Sequence, residues 1–370
     1  MKAPGMTGHA RRFHTSLSIY DNQSRKDDTI RTLHLKEVKM TGRPKILVTQ
    51  KVPDAAYPLL EEIGEVEANL QEGIIWPYEE LLQRGPNHDY IYSLLTDNID
   101  ARFLEACAAG TPRLKMVANM AVGYNNIDVD AATRLGIAVS NTPGVLSDTT
   151  ADLAFALLMA TARRIPEAER YLRAGKYTGW GPLLFCGAEV HRATLGLIGA
   201  GRIGKIVAKR ASGFDMKVIY YDVYRMSPED EATYNMTYMP MDDVLKQADF
   251  VSIHTPYMPS THHLIGEREL SLMKSGAILI NTARGPIVDE KALVRALQAG
   301  TIAGAGLDVF ENEPAVEPEL MTMENVVILP HIASASLKTR TLMATMASDN
   351  IVAHFHGQRP PNIVNPEVLE

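Results

Sequence analysis

The segment Leu195-Gly196-Leu197-Ile198-Gly199-Ala200-Gly201-Arg202-Ile203-Gly204 most narrows what this chain can fold into. A short apolar run enters a Gly-x-Gly-x-x-Gly turn and continues into a helix-like stretch. In such a junction the first glycine makes a tight bend, the second lets backbone approach a pyrophosphate, and the third lets strand and helix pack closely. Gly199, Gly201 and Gly204 fill these positions, and Arg202 and Ile203, between the last two, are expected to meet the cofactor as well. Unpaired N–H groups at a helix N-terminus, favoured by its dipole, would receive the anion, with Arg202 as an added cationic contact. The reading is a dinucleotide-binding turn.

Its context agrees. After the expected helix Lys205 to Phe214, the apolar run Lys217-Val218-Ile219-Tyr220-Tyr221 ends in Asp222. That is about twenty residues past the turn, where an acid binds the adenosine ribose. A carboxylate there accepts hydrogen bonds from ribose hydroxyls and repels the extra phosphate of NADP, so NAD is favoured and NADP is secondary. Arg225 stands near enough to blur that preference, and a simple turn cap is the alternative role for Asp222.

At 370 residues the chain exceeds the size at which one core keeps growing, so two domains are expected. A 46% hydrophobic, 22% charged composition is ordinary for a soluble, cytoplasmic protein, and no run is long enough to cross a bilayer. The net charge of -7 argues against a nucleic-acid surface. Cys107 and Cys186 stand alone, without metal-ligand spacing, so neither a disulfide framework nor a metal site is expected. Residues 1–42 are polar and aperiodic and read as a disordered extension or tag, with Met40 an alternative start. The basic, acid-free opening to Tyr20 leaves an organellar targeting segment as the other reading.

From Ile46 onward, short apolar runs alternate with helix-like stretches: Ile46 to Val48 then Ala55 to Ile63; Tyr90 to Leu94 then Ala101 to Ala109; Leu114 to Ala118 then Val129 to Leu135; and Ile137 to Ser140. This alternation predicts a parallel sheet covered by helices. Asn141-Thr142-Pro143-Gly144 marks a boundary. A long small-residue and leucine helix follows over Ser147 to Arg164, broad enough in its apolar surface to be buried between domains. The second strand series runs Leu195 to Ile198, Lys217 to Tyr221, Phe250 to His254, Ala277 to Asn281, Ala303 to Leu307 and Val326 to Leu329. Helices are expected at Met241 to Lys246, Gly266 to Leu272, Glu290 to Ala299 and Pro318 to Met321. A last helix, Ser336 to His356, stops before Gly357, Pro360 and Pro361. The fold class is α/β, with two Rossmann-like or flavodoxin-like parallel-sheet domains and a cleft between them.

Open parallel sheets bind ligands beyond the carboxyl ends of their strands. Three residues fall there: Arg284 in Asn281-Thr282-Ala283-Arg284-Gly285, Glu313 in Glu311-Asn312-Glu313-Pro314, and His331 in Leu329-Pro330-His331-Ile332. Each alone reads as a surface arginine, a loop acid or a satisfied core histidine. With the glycine turn they form a chemically complete set.

The order of the glycine turn, Asp222, Asn-Thr-Ala-Arg-Gly, Gly306-Leu307-Asp308-Val309-Phe310, Glu-Asn-Glu-Pro and Pro-His-Ile-Ala resembles the D-2-hydroxyacid dehydrogenase family over roughly Arg43 to Pro366. Three further segments resemble its glyoxylate and hydroxypyruvate reductases: Asn119-Met120-Ala121-Val122-Gly123-Tyr124-Asn125-Asn126-Ile127-Asp128, Gly179-Trp180-Gly181-Pro182-Leu183-Leu184-Phe185 and Ile332-Ala333-Ser334-Ala335-Ser336. The resemblance implies a discontinuous substrate domain of residues 43–145 plus 333–370 and a nucleotide domain of residues 146–332. It implies NAD(P)H-dependent reduction of a small 2-oxo acid to a 2-hydroxy acid, NADH favoured, without a metal. D-lactate or phosphoglycerate-type dehydrogenases, and dinucleotide-sensing corepressors of the same fold, are the other members it brings in.

By the same resemblance, His331 donates the proton and Glu313 pairs with it, favouring the imidazolium of a group that otherwise titrates near ~6.5. Arg284 binds the substrate carboxylate and touches the cofactor side. Backbone N–H groups of Val122 and Gly123 hold the carboxylate from the other wall, and Met120 shapes the pocket. Asp308 would bond the nicotinamide carboxamide, Thr255 and Pro256 would line the adenine side, and Thr282 would contact the cofactor. Thr150 would approach the dinucleotide or serve only as an N-terminal helix hydroxyl. Trp180 would reach a partner subunit's pocket or anchor an interface; either implies a homodimer.

Overall fold

The computed structural model describes residues 42–370; the extension expected over residues 1–42 falls, apart from Gly42, outside them. From Arg43 the chain builds two all-parallel sheets. The first holds β1 (Lys45–Val48), β2 (Glu65–Ala68), β3 (Tyr90–Ser93), β4 (Met116–Asn119) and β5 (Ala138–Ser140), in the order β2-β1-β3-β4-β5. Every residue of β3, β4 and β5 is buried, because helices cover both faces and successive side chains enter opposite layers. Leu47 aligns with Ile91 on one side and Glu67 on the other.

The second sheet holds β6 (Thr194–Ile198), β7 (Lys217–Tyr221), β8 (Met236–Tyr238), β9 (Phe250–Ile253), β10 (Ile278–Asn281), β11 (Gly304–Leu307) and β12 (Val326–Ile328). Its order is β12-β11-β10-β9-β6-β7-β8. Connections run one way from β6 through β7 to β8 and the other way from β9 to β12. The direction therefore reverses at β6, whose carboxyl end carries the glycine turn, and a crevice opens at such a switch point.

Two helices fix how the chain is partitioned. Ser147–Ala162 lies on the second sheet, where Leu157 packs so close to β11 that a Cβ on Gly306 would come within 2.7 Å of it. The helix buries Ala151, Ala154, Phe155, Leu157 and Leu158 in that sheet's core. It meets the last helix, Leu337–Phe355, through a 2.6 Å contact between the hydroxyls of Thr149 and Thr339. Leu337–Phe355 returns to the first sheet, burying Met343, Ala344, Ala347 and Ile351 against Ile46 and Tyr92, and Tyr92 donates its hydroxyl to the Ala344 carbonyl at 3.1 Å. The final residues seal the β5 edge, with Val364 N–H donating to Val139 O at 2.7 Å and the Asn365 side chain accepting from Val139 N–H at 2.7 Å.

Several elements depart from the sequence expectation. The helix after the turn begins at Arg202 rather than Lys205, so the glycine turn itself forms its first turn. Residues 318–321 form turns instead of a helix. Strands β2 and β8 and the helices Tyr78–Arg84, Ile165–Arg173 and Pro228–Tyr234 were not expected. Among the described residues no helix is long and apolar enough to cross a membrane.

Candidate active site

The loops at the carboxyl ends of both sheets face one cleft of about 930 Å³. On the second sheet, Gly199 has φ of 95° and donates its N–H to Tyr221 O at 2.8 Å. A Cβ there would stand 2.7 Å from the His254 backbone, and one on Gly204 would stand 2.5 Å from Gly199 O. A Cβ on Gly201, by contrast, would meet nothing within 4 Å. Two glycines thus close the strand–helix junction, and the third leaves a cradle open. Among the described residues, the N–H groups of Gly201, Arg202 and Ile203 donate to no protein acceptor. These are free helix N-terminal donors around an open backbone, which is what a pyrophosphate requires. The residues present therefore fit a dinucleotide.

Asp222 stands where the ribose acid was expected. Its Oδ2 accepts from Ala200 N–H at 2.8 Å and its Oδ1 from Tyr224 N–H at 3.1 Å, so it caps the loop, and each oxygen retains a further lone pair. Arg202, Ile203, Thr150, Thr255, Pro256 and Thr282 all line the cleft. The Thr282 hydroxyl is buried without a hydrogen-bond partner, and Thr150 is buried in the first turn of its helix.

Arg284 reaches the cleft from the loop after β10. Asn281 shapes that loop, accepting from Ala283 N–H at 3.0 Å and donating to Arg284 O at 2.9 Å. Gly285 lies against Phe310, where a Cβ would fall 1.8 Å from its carbonyl, so the arginine loop is locked to the segment carrying Glu313. The guanidinium donates through Nη1 to Ala283 O at 2.7 Å and through Nε to Asn125 Oδ1, across the cleft, at 3.2 Å. Nη2 makes no hydrogen bond among the described residues and is aimed at Gly123. Burial draws the Arg284 pKa down and the Glu313 charge opposes this.

His331 Nδ1 meets Glu313 Oε2 at 2.9 Å, and Glu313 Oε1 accepts from Phe310 N–H at 3.0 Å. Burial pushes the Glu313 carboxyl up, but the His331 hydrogen bond and charge, the Phe310 N–H and the Arg284 charge together hold it below the ordinary carboxylate range. With Nδ1 committed, the ring's Nε2 is left for the cleft. His331 itself sits at φ of 53°, a strained left-handed conformation for a residue with a side chain. Asp308 enforces it: the buried carboxylate accepts the N–H groups of Ile332 and Ala333, both at 2.8 Å. Asp308 is wholly buried and does not line the cleft, so its visible role is to shape the histidine loop.

The opposite wall is the loop after β4. Among the described residues the N–H groups of Val122 and Gly123 donate to no acceptor, and both residues line the cleft. Asn119 Nδ2 donates to Gly123 O at 3.1 Å and to Asn126 Oδ1 at 3.2 Å. Asn126 Nδ2 in turn donates to Leu94 O and Asp97 O, both at 3.0 Å, tying this loop to the one after β3. Met120 is 5% exposed within the first sheet's core, in one cluster with Met343 of the Leu337–Phe355 helix, a residue that lines the cleft. Trp180 is 82% exposed and does not line its own chain's cleft. Asn125, His254 and Ser334, none of them expected in the site, line the cleft or hold its arginine. Asn125 and Ser334 lie inside the reductase-like segments, whereas His254 ends an expected strand.

A dinucleotide cradle facing an arginine and a histidine–carboxylate pair across a two-sheet cleft defines a two-domain, dinucleotide-dependent dehydrogenase. Residues 155–333 match the profile of the D-isomer specific 2-hydroxyacid dehydrogenase, NAD binding domain. The chain is 48% identical over 337 residues to a glyoxylate reductase of Korarchaeum cryptofilum, covering 89% of this chain and 98% of that protein. Among solved structures it resembles a Thermus thermophilus protein at 42% identity and TM-score 0.80, over 86% of this chain and 99% of that one. It also resembles an NADPH-dependent glyoxylate/hydroxypyruvate reductase of Sinorhizobium meliloti, in complex with NADP and malonate. That likeness is at 35% identity and TM-score 0.75, over 87% and 97% of the two chains. The chain belongs to the D-isomer specific 2-hydroxyacid dehydrogenase family.

Proposed function

We propose that this chain reduces a small 2-oxo acid, glyoxylate or hydroxypyruvate, to its 2-hydroxy acid, with NADH favoured over NADPH. The observation that carries the reading is the convergence on one cleft of Arg284, the His331–Glu313 pair and the free amides of Val122 and Gly123. The names of the similar reductases support the substrate class. The substrate domain comprises residues 43–145 and 333–370, and residues 146–332 form the nucleotide domain.

The glycine turn, with Arg202 and Ile203, holds the pyrophosphate; Asp222 holds the ribose; Thr150, Thr255, Pro256 and Thr282 line the remaining length. A reduced nicotinamide, when bound, supplies the hydride to the carbonyl carbon. Arg284 Nη2, the one guanidinium nitrogen without a protein acceptor among the described residues, takes a substrate carboxylate oxygen and polarises the carbonyl as negative charge grows there. The Val122 and Gly123 amides take the carboxylate from the facing wall. His331 gives the proton on Nε2 to the carbonyl oxygen, and ionised Glu313, bonded to Nδ1, holds the ring's orientation. Asp308 serves through the loop it holds.

The proposed assembly is a homodimer. Ile165, Leu172, Tyr177, Trp180 and Leu183 are each at least half exposed on one stretch of the nucleotide domain, an apolar surface suited to a second copy. The test of function is oxidation of NADH and NADPH with glyoxylate, hydroxypyruvate, pyruvate and a bulky 2-oxo acid. Rapid turnover of the first two, faster with NADH, is expected. Inactivity toward all four with NADH bound tightly overturns the reductase reading in favour of a sensing protein.

A further inference from the structure

Arg225 follows Asp222 by three residues, on the loop that folds back over the carboxylate through the Tyr224 N–H to Asp222 Oδ1 bond. A cation at this place is what a ribose 2′-phosphate would recognise. The structure shows that cation already engaged. Arg225 donates through Nε to Glu231 Oε1 at 2.8 Å and through Nη2 to Glu231 Oε2 at 3.0 Å, a two-pronged pair. Its guanidinium carbon also sits 5.3 Å from the centre of the Tyr238 ring.

Glu231 is held in turn. Its Oε1 accepts from the Tyr220 hydroxyl at 2.8 Å, and that hydroxyl accepts from Met226 N–H at 2.9 Å. The Glu231 side chain is 14% exposed against 60% for Arg225, so the acid is the fixed member and the arginine the captured one. A second cation near the turn is treated alike: Lys205 Nζ meets Asp230 Oδ2 at 2.7 Å. Both acids stand on Pro228–Tyr234, a helix with no fully buried residue that reaches the core through half-buried Tyr234.

We propose that Glu231 is a specificity-determining residue: by capturing Arg225 it withholds the cation that would otherwise bind a 2′-phosphate beside Asp222. Asp222 repels the phosphate, and Glu231 removes its compensating partner, so discrimination combines a repulsive element with a missing attractive one. The inference rests on Asp222 marking the ribose site. In the neutral Glu231→Gln variant the amide oxygen still accepts from Tyr220, which preserves the local fold, while the charge that holds Arg225 is lost.

The experiment is fluorescence titration of NADH and NADPH onto the intact protein, with a melting curve for each variant. Glu231→Gln should tighten NADPH relative to NADH by roughly fivefold, the scale of a solvent-exposed charge contact. Glu231→Gln with Arg225→Ala should cancel that gain. Arg225→Ala alone should leave the ratio of the two dissociation constants within about twofold of the starting protein, since Arg225 is already occupied. No gain in Glu231→Gln, or a gain that survives loss of Arg225, overturns the proposal. If Glu231→Gln does not fold, a severalfold loss of NADPH binding in Arg225→Ala alone still overturns it. Preference of the starting protein for NADPH instead refutes NADH preference itself, independently of how the variants shift.

Discussion

Replacing Gly123 by alanine tests the substrate end of the cleft with a single methyl group. An alanine Cβ would stand 2.1 Å from Arg284 Nη2 and 3.0 Å from its Cζ. Ordinary heavy-atom contact is about 3.5 Å, so the guanidinium must retreat by roughly 1.4 Å. Gly123 is not among the residues with positive φ, so alanine adopts its backbone without strain, and the obstacle is the far end of a flexible side chain. The fold should therefore lose little, while the retreat pulls Arg284 from Asn125 and from its carboxylate-binding position. A displacement of about 1 Å in a positioning group costs about 100-fold in rate, or roughly 3 kcal/mol of transition-state stabilisation. Steady-state reduction of glyoxylate should show kcat/KM down by about that factor, with the NADH dissociation constant within about twofold and Tm nearly unchanged. A kcat/KM within about threefold of the parent, in a folded variant, refutes the placement of the substrate carboxylate between Gly123 and Arg284.

Two further perturbations probe the histidine loop and the acid limit. Asp308→Asn points an NH2 group at one of the two backbone N–H donors of Ile332 and Ala333. It should cost about 2 kcal/mol by thermal melting and lower kcat as His331 loses its turn; unchanged stability and kcat contradict that role. Glu313 is held below the ordinary carboxylate range, so its stabilisation is present above that range and fades as pH falls through the lowered value. Burial pushes His254 from 6.5 down to about 4, so the unfolded chain binds its proton between those values and the folded chain does not. Stability should fall by about 3 kcal/mol as pH drops across that window. His254→Gln should flatten this loss in melting curves, and an unaltered slope rejects the burial argument.

The sequence was most legible where many buried residues or a strict backbone requirement left a mark. The glycine turn follows from contacts that no Cβ tolerates at Gly199 and Gly204. The central strands read as apolar runs because both faces are covered. Edge strand β2, Glu65–Ala68, alternates exposed and half-buried positions and leaves no such run. Ile165–Arg173 and Pro228–Tyr234 have no fully buried residue, so no core stripe announced them. In the site, Arg284, Glu313 and His331 were picked out by residue type, strand position and family order. Asn125 was not singled out, because its reason for being there is a guanidinium 159 positions away in sequence. Asp308 was picked out by its motif, but its bonds to the Ile332 and Ala333 N–H groups follow from loop geometry that the motif does not encode.

The central claim is that His331, held by Glu313, delivers the proton that completes reduction of a 2-oxo acid. The direct measurement is glyoxylate reduction by His331→Ala beside NADH titration of the same variant. Loss of a general acid predicts kcat reduced by about 100- to 10,000-fold, with NADH bound as tightly as by the parent. Turnover near that of the parent, with the fold and NADH binding intact, contradicts the account.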